Sequence, residues 1–368
     1  MPQQTEAAAT APVSAGSPRR APDLGGLLAR IGPSLSPRKI SGVYLLILLI
    51  VFYSLATSTF FSTTTLRTIA TEQAITAIVA MGLTIALAAG VFDLSIAGTM
   101  GLANIVAAKL MADGGMSPVL AILLTLLVGA GIGVINGLLV TKARIDPFIA
   151  TLGTNSILLA AIFVVSNNQN ILGIPAGFQK IAGNQVAGIP LPVFYVLGLS
   201  LLLWYVMACT PLGRRLYATG GGREVARLAG VPTTRYVIGA FVCSATIASL
   251  AGVLVVATIG TGSTEVGASY LLPAFAAGFL GATQFKPGRF NIWGTVLAVY
   301  LLATGVKGLV LMGADVWVPD LFNGAALILA VGLSGIQRRA KVTEVAPEAG
   351  EPATLDDTVG PSTAGATR

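Results

Sequence analysis

Chemistry needs somewhere to place a proton, an electron pair or a metal, and this chain of 368 residues has few such places. Histidine is absent, which removes His-based triads, zincin sites and imidazole proton relays together. The two cysteines, Cys209 and Cys243, stand 34 positions apart in apolar runs, without a CxxC spacing that would favour a metal or a disulfide. No GxxxxGK[ST] occurs, so the chain has no nucleotide-binding loop of its own. No catalytic residue, metal or cofactor is expected. Two charged places remain: a lone acid in "AGVFDLSIAG", Asp93, and the basic stretch "GRRLYATGGGREVARLAGVP" at 213–232.

Asp93 has two readings. Asp93 or Ser95 could satisfy the free N–H groups at the start of a helix, or the acid could gate or line a pathway. Asn136, Thr151, Thr154 and Asn155 are polar groups in apolar surroundings, and they join Ser95 as pathway or gate candidates. Such groups either hydrogen-bond between helices or face a pathway.

In the basic stretch, helix formers from Arg223 to Ala229 are bracketed by Gly220–Gly222 and by Gly230, with Pro232 soon after. That predicts about two helical turns, roughly 10–12 Å long. Such a helix is too short to stand alone in water. Val225, Leu228 and Ala229 share one face; Arg223 and Arg227, four apart, share another and repel by about 0.2–0.5 kcal/mol unless an acidic surface meets them. A hinged, basic helix with a small apolar face suits docking onto a cytoplasmic partner. A topology signal and a helix resting on anionic headgroups are the alternatives.

The elements that carry these residues follow from composition. The chain is 54% hydrophobic and 10% charged, with a mean hydropathy of +0.83; soluble domains carry about 25% charged residues. Long apolar runs of roughly 20 residues therefore read as membrane spans. Ten are expected, at 42–61, 73–90, 94–112, 118–140, 147–166, 190–209, 236–258, 269–285, 291–312 and 318–336, in an all-α integral membrane protein. The third and eighth are the least regular. An even number puts both termini on one side, and with that side inside, only Arg67, Lys109, Lys180 and Lys307 of 22 basic residues fall outside or near outer span ends. This positive-inside asymmetry makes both termini and the 210–235 loop cytoplasmic. The net charge of +7 is thus a topology signal rather than a nucleic-acid footprint.

Residues 1–40 and 341–368 are polar tails, basic and acidic respectively, expected to be disordered. The apolar body between them is 41–340. In span four, "GAGIGVING" sets Gly129, Gly133 and Gly137 at four-residue steps, a small-residue face for close backbone approach within the chain or to a second copy.

"TPLGRRLYATGGGREVARLAGVP", "GLTIALAAGVFDLSIAG" and "DPFIATLGT" together resemble signatures of permease subunits of bacterial ATP-binding-cassette importers, in the ribose-type sugar branch. The resemblance covers roughly 40–340. It implies a coupling helix at 222–230, seated in a cleft of a separate ATPase subunit through Gly222, Arg223, Glu224, Val225, Arg227, Leu228 and Gly230. It also implies two permease copies in the bacterial cytoplasmic membrane and an external solute-binding protein, for which residues 167–190 are a docking surface. The usual Asn before the coupling helix is Gly222, and two commonly acidic positions are Leu271 and Pro273. The cargo implied is therefore a sugar or polyol without a name. Permeases of the branched-chain amino acid and nucleoside branches are the alternative. A secondary carrier is disfavoured by sparse mid-membrane charge, and a membrane enzyme by the missing chemistry.

Overall fold

A computed structural model describes residues 41–345, almost all of them helical or in short turns. Helices are the only economical way for an apolar chain to satisfy its own backbone in lipid. They are α1 (Ser41–Ala56), α2 (Thr63–Ala88), α3 (Ile96–Ala112), α4 (Pro118–Thr141), α5 (Pro147–Ser166) and α6 (Ala176–Gly183). A two-residue hairpin follows, β1 (Gln185–Val186) and β2 (Ile189–Pro190), antiparallel. Then come α7 (Leu191–Trp204), a π-helical turn (Tyr205–Cys209), α8 (Pro211–Gly221), α9 (Arg223–Leu228), α10 (Thr233–Ile259), α11 (Ala268–Gly281), α12 (Ile292–Leu311) and α13 (Val318–Val345).

Local signals explain the boundaries. Ser62 caps α2 by accepting from Thr65 N–H, Asp146 caps α5 ahead of Pro147, and Asn291 caps α12. Asn167 and Gly260, both left-handed, end α5 and α10. Six helices are long and apolar enough to cross a membrane: α2, α4, α5, α7 with its π turn, α10 and α12. The remaining apolar helices, α1, α3, α11 and the Val318–Gly332 part of α13, are shorter. The irregular third and eighth spans are α3 and α11. The last helix runs to Val345, past the expected end at 336 and into the segment assigned to the acidic tail. The rest of that tail, and all of 1–40, lie outside the described residues.

Two helices form the axis. α2 and α10 are buried nearly all round, whereas α4, α5 and α7 expose most of their apolar surface at the perimeter. This inside-out pattern is what a bundle solvated by lipid requires. The tightest partnership is α4 with α10. A Cβ on Gly133 would lie 2.5 Å from Val242 Cα, one on Gly137 would lie 2.8 Å from Ile238 Cα, and one on Gly129 would collide with Ser249. The small-residue face therefore meets a helix of the same chain. Around this axis one cluster joins α2, α10, α11 and α12, and a second packs α6, through Phe178 and Ala182, against α3 and α10.

Candidate functional site

The charged segment folds as two short helices, not one. In α8, Gly213, Leu216 and Thr219 share the buried face. Gly220 lies so close to the Ala88 carbonyl that no side chain could stand there, and a Cβ on Gly90 would come within 3.0 Å of Gly220 Cα. Gly90 also has a φ of 76°, which a residue with a side chain resists. The end of α8 is thus pressed, backbone on backbone, against the turn between α2 and α3. Tyr217 secures it from the other side by donating to the Phe290 carbonyl at 2.6 Å. Burial raises the Tyr217 pKa against the opposing pull of Arg289, so the phenol keeps its proton.

Gly222 adopts an extended conformation and α9 begins at Arg223, a rod of six residues and about 9 Å. Gly230, at φ 81°, turns the chain back towards α10. Glu224 sits in the first turn and Arg227 in the last, each at the end that the helix dipole favours. The expected repulsion between Arg223 and Arg227 does not govern the geometry. Arg227 turns to Glu224 instead, with Nε at 3.1 Å and Nη2 at 2.9 Å from one carboxylate oxygen. Both side chains are largely exposed, so the pair contributes about 0.2–1 kcal/mol. Ala226 alone anchors the rod; Val225 and Leu228 are 74% and 82% exposed. Beside it, the α4–α5 turn with Arg144 and Asp146 encloses a cleft of about 590 Å³ against Arg223, Glu224 and Arg227. Val225 and Leu228 thus form an exposed apolar ridge flanked by charge, the kind of surface that marks contact sites for proteins or membranes.

Next to the α2–α3 turn lies a buried polar chain. Asp93 accepts from Ser95 N–H at 3.1 Å, Ser95 O–H at 2.6 Å and Ser244 O–H at 2.8 Å. Asn136 donates to Ser95 Oγ at 2.7 Å, and Thr154 donates to Asn136 Oδ1 at 2.7 Å. Asp93, Ser95, Asn136, Thr151 and Ser244 are fully buried. The capping expected of Asp93 and Ser95 is only partly local. Ser95 makes no side-chain cap, and the free N–H groups of Leu94 and Gly98 are taken by Thr151 and Asn155 of α5. All six pathway or gate candidates thus fall in one network that ties α3, α4, α5 and α10 together. Ser244, its remaining member, looked like any small residue in an apolar run.

None of the six lines a second, polar cavity. That cavity, about 570 Å³, opens at the opposite end of the bundle between α2, α10, α11, α12 and α13. Its polar lining is Glu72, Gln73, Thr76, Thr258, Ser269, Tyr270, Lys307 and Asn323, with Pro273 on the α11 wall. The size falls in the usual range of about 300–1,000 Å³ for small-molecule sites. Pro273 lacks an N–H, which leaves the Ser269 carbonyl without its helical donor and adds an acceptor to the lining. Acidity is supplied by Glu72 of α2, not by the α11 positions held by Leu271 and Pro273. Glu72 and Thr258 also line a smaller groove of about 340 Å³ that reaches Gly183, Gln185 and Pro190 in the 167–190 segment. The sequence signal for Glu72 and Lys307 was charge near the end of an apolar run.

Residues 65–331 match the family described as branched-chain amino acid transport system, permease component. The D-allose transport system permease of Escherichia coli (strain K12) is 32% identical over 290 residues, covering 78% of this chain and 89% of its own. The ribose import permease of Bacillus subtilis (strain 168) is 31% identical over 308 residues, covering 83% and 92%. An autoinducer 2 import system permease from Yersinia enterocolitica is 34% identical over 260 residues, covering 69% and 78%. No solved structure matches the chain significantly. Since the match spans well over half of the chain, the chain belongs to this family of transport-system permease components.

Proposed function

We propose that the chain is the membrane-spanning permease of an ATP-binding-cassette importer for a sugar or polyol in the bacterial cytoplasmic membrane. The family description alone covers amino acid transport, but the D-allose and ribose permeases among the relatives favour the sugar branch. In this reading ten helices cross the bilayer, both termini are cytoplasmic, and α9 faces the cytoplasm. Two copies assemble with two ATPase subunits, and the chain itself catalyses nothing. An external solute-binding protein docks over 167–190 and releases its cargo beside the groove that leads to Glu72.

The observation that carries the proposal is α9 itself. A rod hinged at Gly222 and Gly230, projecting Val225 and Leu228 outward, is joined through α8 to the end of α2. Nucleotide-driven displacement of α9 reaches α2, which lines the outer cavity at its other end. Sugar hydroxyls need paired donors and acceptors in a dry pocket, and the cavity offers an acid, a base, two amides and four hydroxyls.

The test is uptake in proteoliposomes containing the permease, its ATPase and its receptor. Arg223→Glu combined with Arg227→Glu is expected to lower ATP-driven uptake by at least about tenfold, the effect of losing roughly 1.4 kcal/mol of docking. Membrane insertion of the purified permease stays unchanged, and its thermal stability falls by no more than the exposed Arg227–Glu224 pair contributes, about 1 kcal/mol. Uptake equal to wild type would remove the docking role.

A further inference from the structure

One more cavity belongs neither to α9 nor to the outer site. It is a groove of about 760 Å³ on the perimeter, at the same end of the bundle as α8. Its wall is apolar, formed by α1, the π turn after α7, and the first turns of α12 from Ile292 to Tyr300. Those turns rise about 12 Å, most of the roughly 15 Å depth of one leaflet's hydrocarbon. The mouth differs in chemistry. Lys286 and Arg289 stand there, with Trp204 and Trp293 flanking the groove. Among the described residues no Asp or Glu lines it. Arg289 lies over the Tyr217 ring at 3.6 Å, which holds the guanidinium at the rim. The Lys286 side chain has no hydrogen bond or ion pair among the described residues.

The π turn helps to shape the recess. Its wider ring interrupts the ladder of α7, and Gly213 admits the Met207 carbonyl at close range, which a side chain would prevent. Met207 then forms part of the groove wall. Ordinary lipid-facing helix surface is convex and uncharged. This one is concave, apolar along its length and cationic at its mouth, with aromatic residues of the kind that sit at headgroup level.

We propose that this groove binds an anionic glycerophospholipid, its phosphate held by Lys286 and Arg289 and one acyl chain lying along α12. The leaflet, cytoplasmic, rests on the orientation given above; the site itself does not depend on the cargo or on the ATPase. Basic recesses between membrane helices on that side are suited to such headgroups.

The experiment uses the full-length permease in detergent, titrated with phosphatidylglycerol or phosphatidylcholine of identical chains and read by native mass spectrometry. Two cations at the headgroup predict about a 30-fold preference for phosphatidylglycerol, and Lys286→Gln is expected to reduce it about fivefold. Lys286→Gln with Arg289→Gln should abolish it. The single variant decides the matter if the double variant misfolds, since the Lys286 side chain holds nothing else in place. In a Trp317→Phe background, phosphatidylglycerol with brominated chains should quench Trp204 and Trp293 more than brominated phosphatidylcholine does. Equal retention of both lipids, or a preference that survives Lys286→Gln undiminished, overturns the proposal. So does a groove closed by a second copy, seen as Trp293→Cys cross-linking to itself across two chains. Transport failure from a lost ATPase contact would leave the lipid preference intact, so the two proposals fail separately.

Discussion

At Asp93 a fully buried carboxylate is surrounded by three donors and by no cation. Its value lies in what it keeps satisfied: the Ser95 N–H and hydroxyl and the Ser244 hydroxyl. Each buried donor left without a partner costs about 1–3 kcal/mol. Asp93→Leu is therefore expected to destabilise the protein by about 3 kcal/mol or more, a drop of many degrees in a detergent thermal melt. Asp93→Asn keeps one acceptor oxygen, and the serine hydroxyls can rotate to meet its amide, so its melt should stay near that of the wild type. If Asp93→Leu melts with the wild type, the network does not brace these helices. The same residues illustrate what could be read from the chain beforehand. Their polarity and their place in an apolar context were visible. Their partnership was not, because Ser244 is 151 positions from Asp93 and Asn155 is 57 from Gly98. Hydrogen bonds of that range exist only once the bundle has formed.

At the scale of elements, α4 and α10 are held close by the absence of side chains. Gly133→Val would drive a branched Cβ into the Val242 backbone, which cannot move aside as a side-chain end can. A large loss of melting temperature or of folded yield is expected. Gly131 gives the control, since its outer face meets nothing within 4 Å, and Gly131→Ala should be neutral or mildly stabilising. Equal behaviour of the two variants would refute the packing role of the stripe. The four-residue spacing was legible because helical geometry alone puts such residues on one face; the identity of the facing helix was not. Likewise, i,i+4 spacing set Arg223 and Arg227 on one side of α9, but the nearer Glu224 carboxylate captured Arg227. Hydropathy located nearly every long helix to within a few residues, since lipid imposes the same length on all of them. It said little about the outer cavity, whose Glu72, Tyr270 and Lys307 come from three separate helices.

For the whole molecule, the two ends of the bundle carry different tasks. One bears α9 and the buried network, the other the cavity and the 167–190 segment. This polarity is testable in a background lacking Cys209 and Cys243. Val225→Cys should react with a membrane-impermeant thiol reagent only from the cytoplasmic side, and Gln185→Cys only from outside; both positions are exposed. Labelling of both from one side would invert or collapse the architecture. In the importer proposed above the arrangement would also separate specificity from drive: changes in the cavity lining would alter which solute passes, and changes at α9 whether any passes at all.

The meeting of Gly220 with Gly90 has one more consequence. Contacts between side chains have play, because a rotamer can give way before the backbone does. Here main chain touches main chain, and nothing between them can swivel. A joint of that kind works like meshed gear teeth without backlash: were α8 displaced, the foot of α2 would have to follow by nearly the same amount. In the importer proposed above such a linkage would suit a motor with a short throw, and one methyl group added at either glycine would force the two backbones apart.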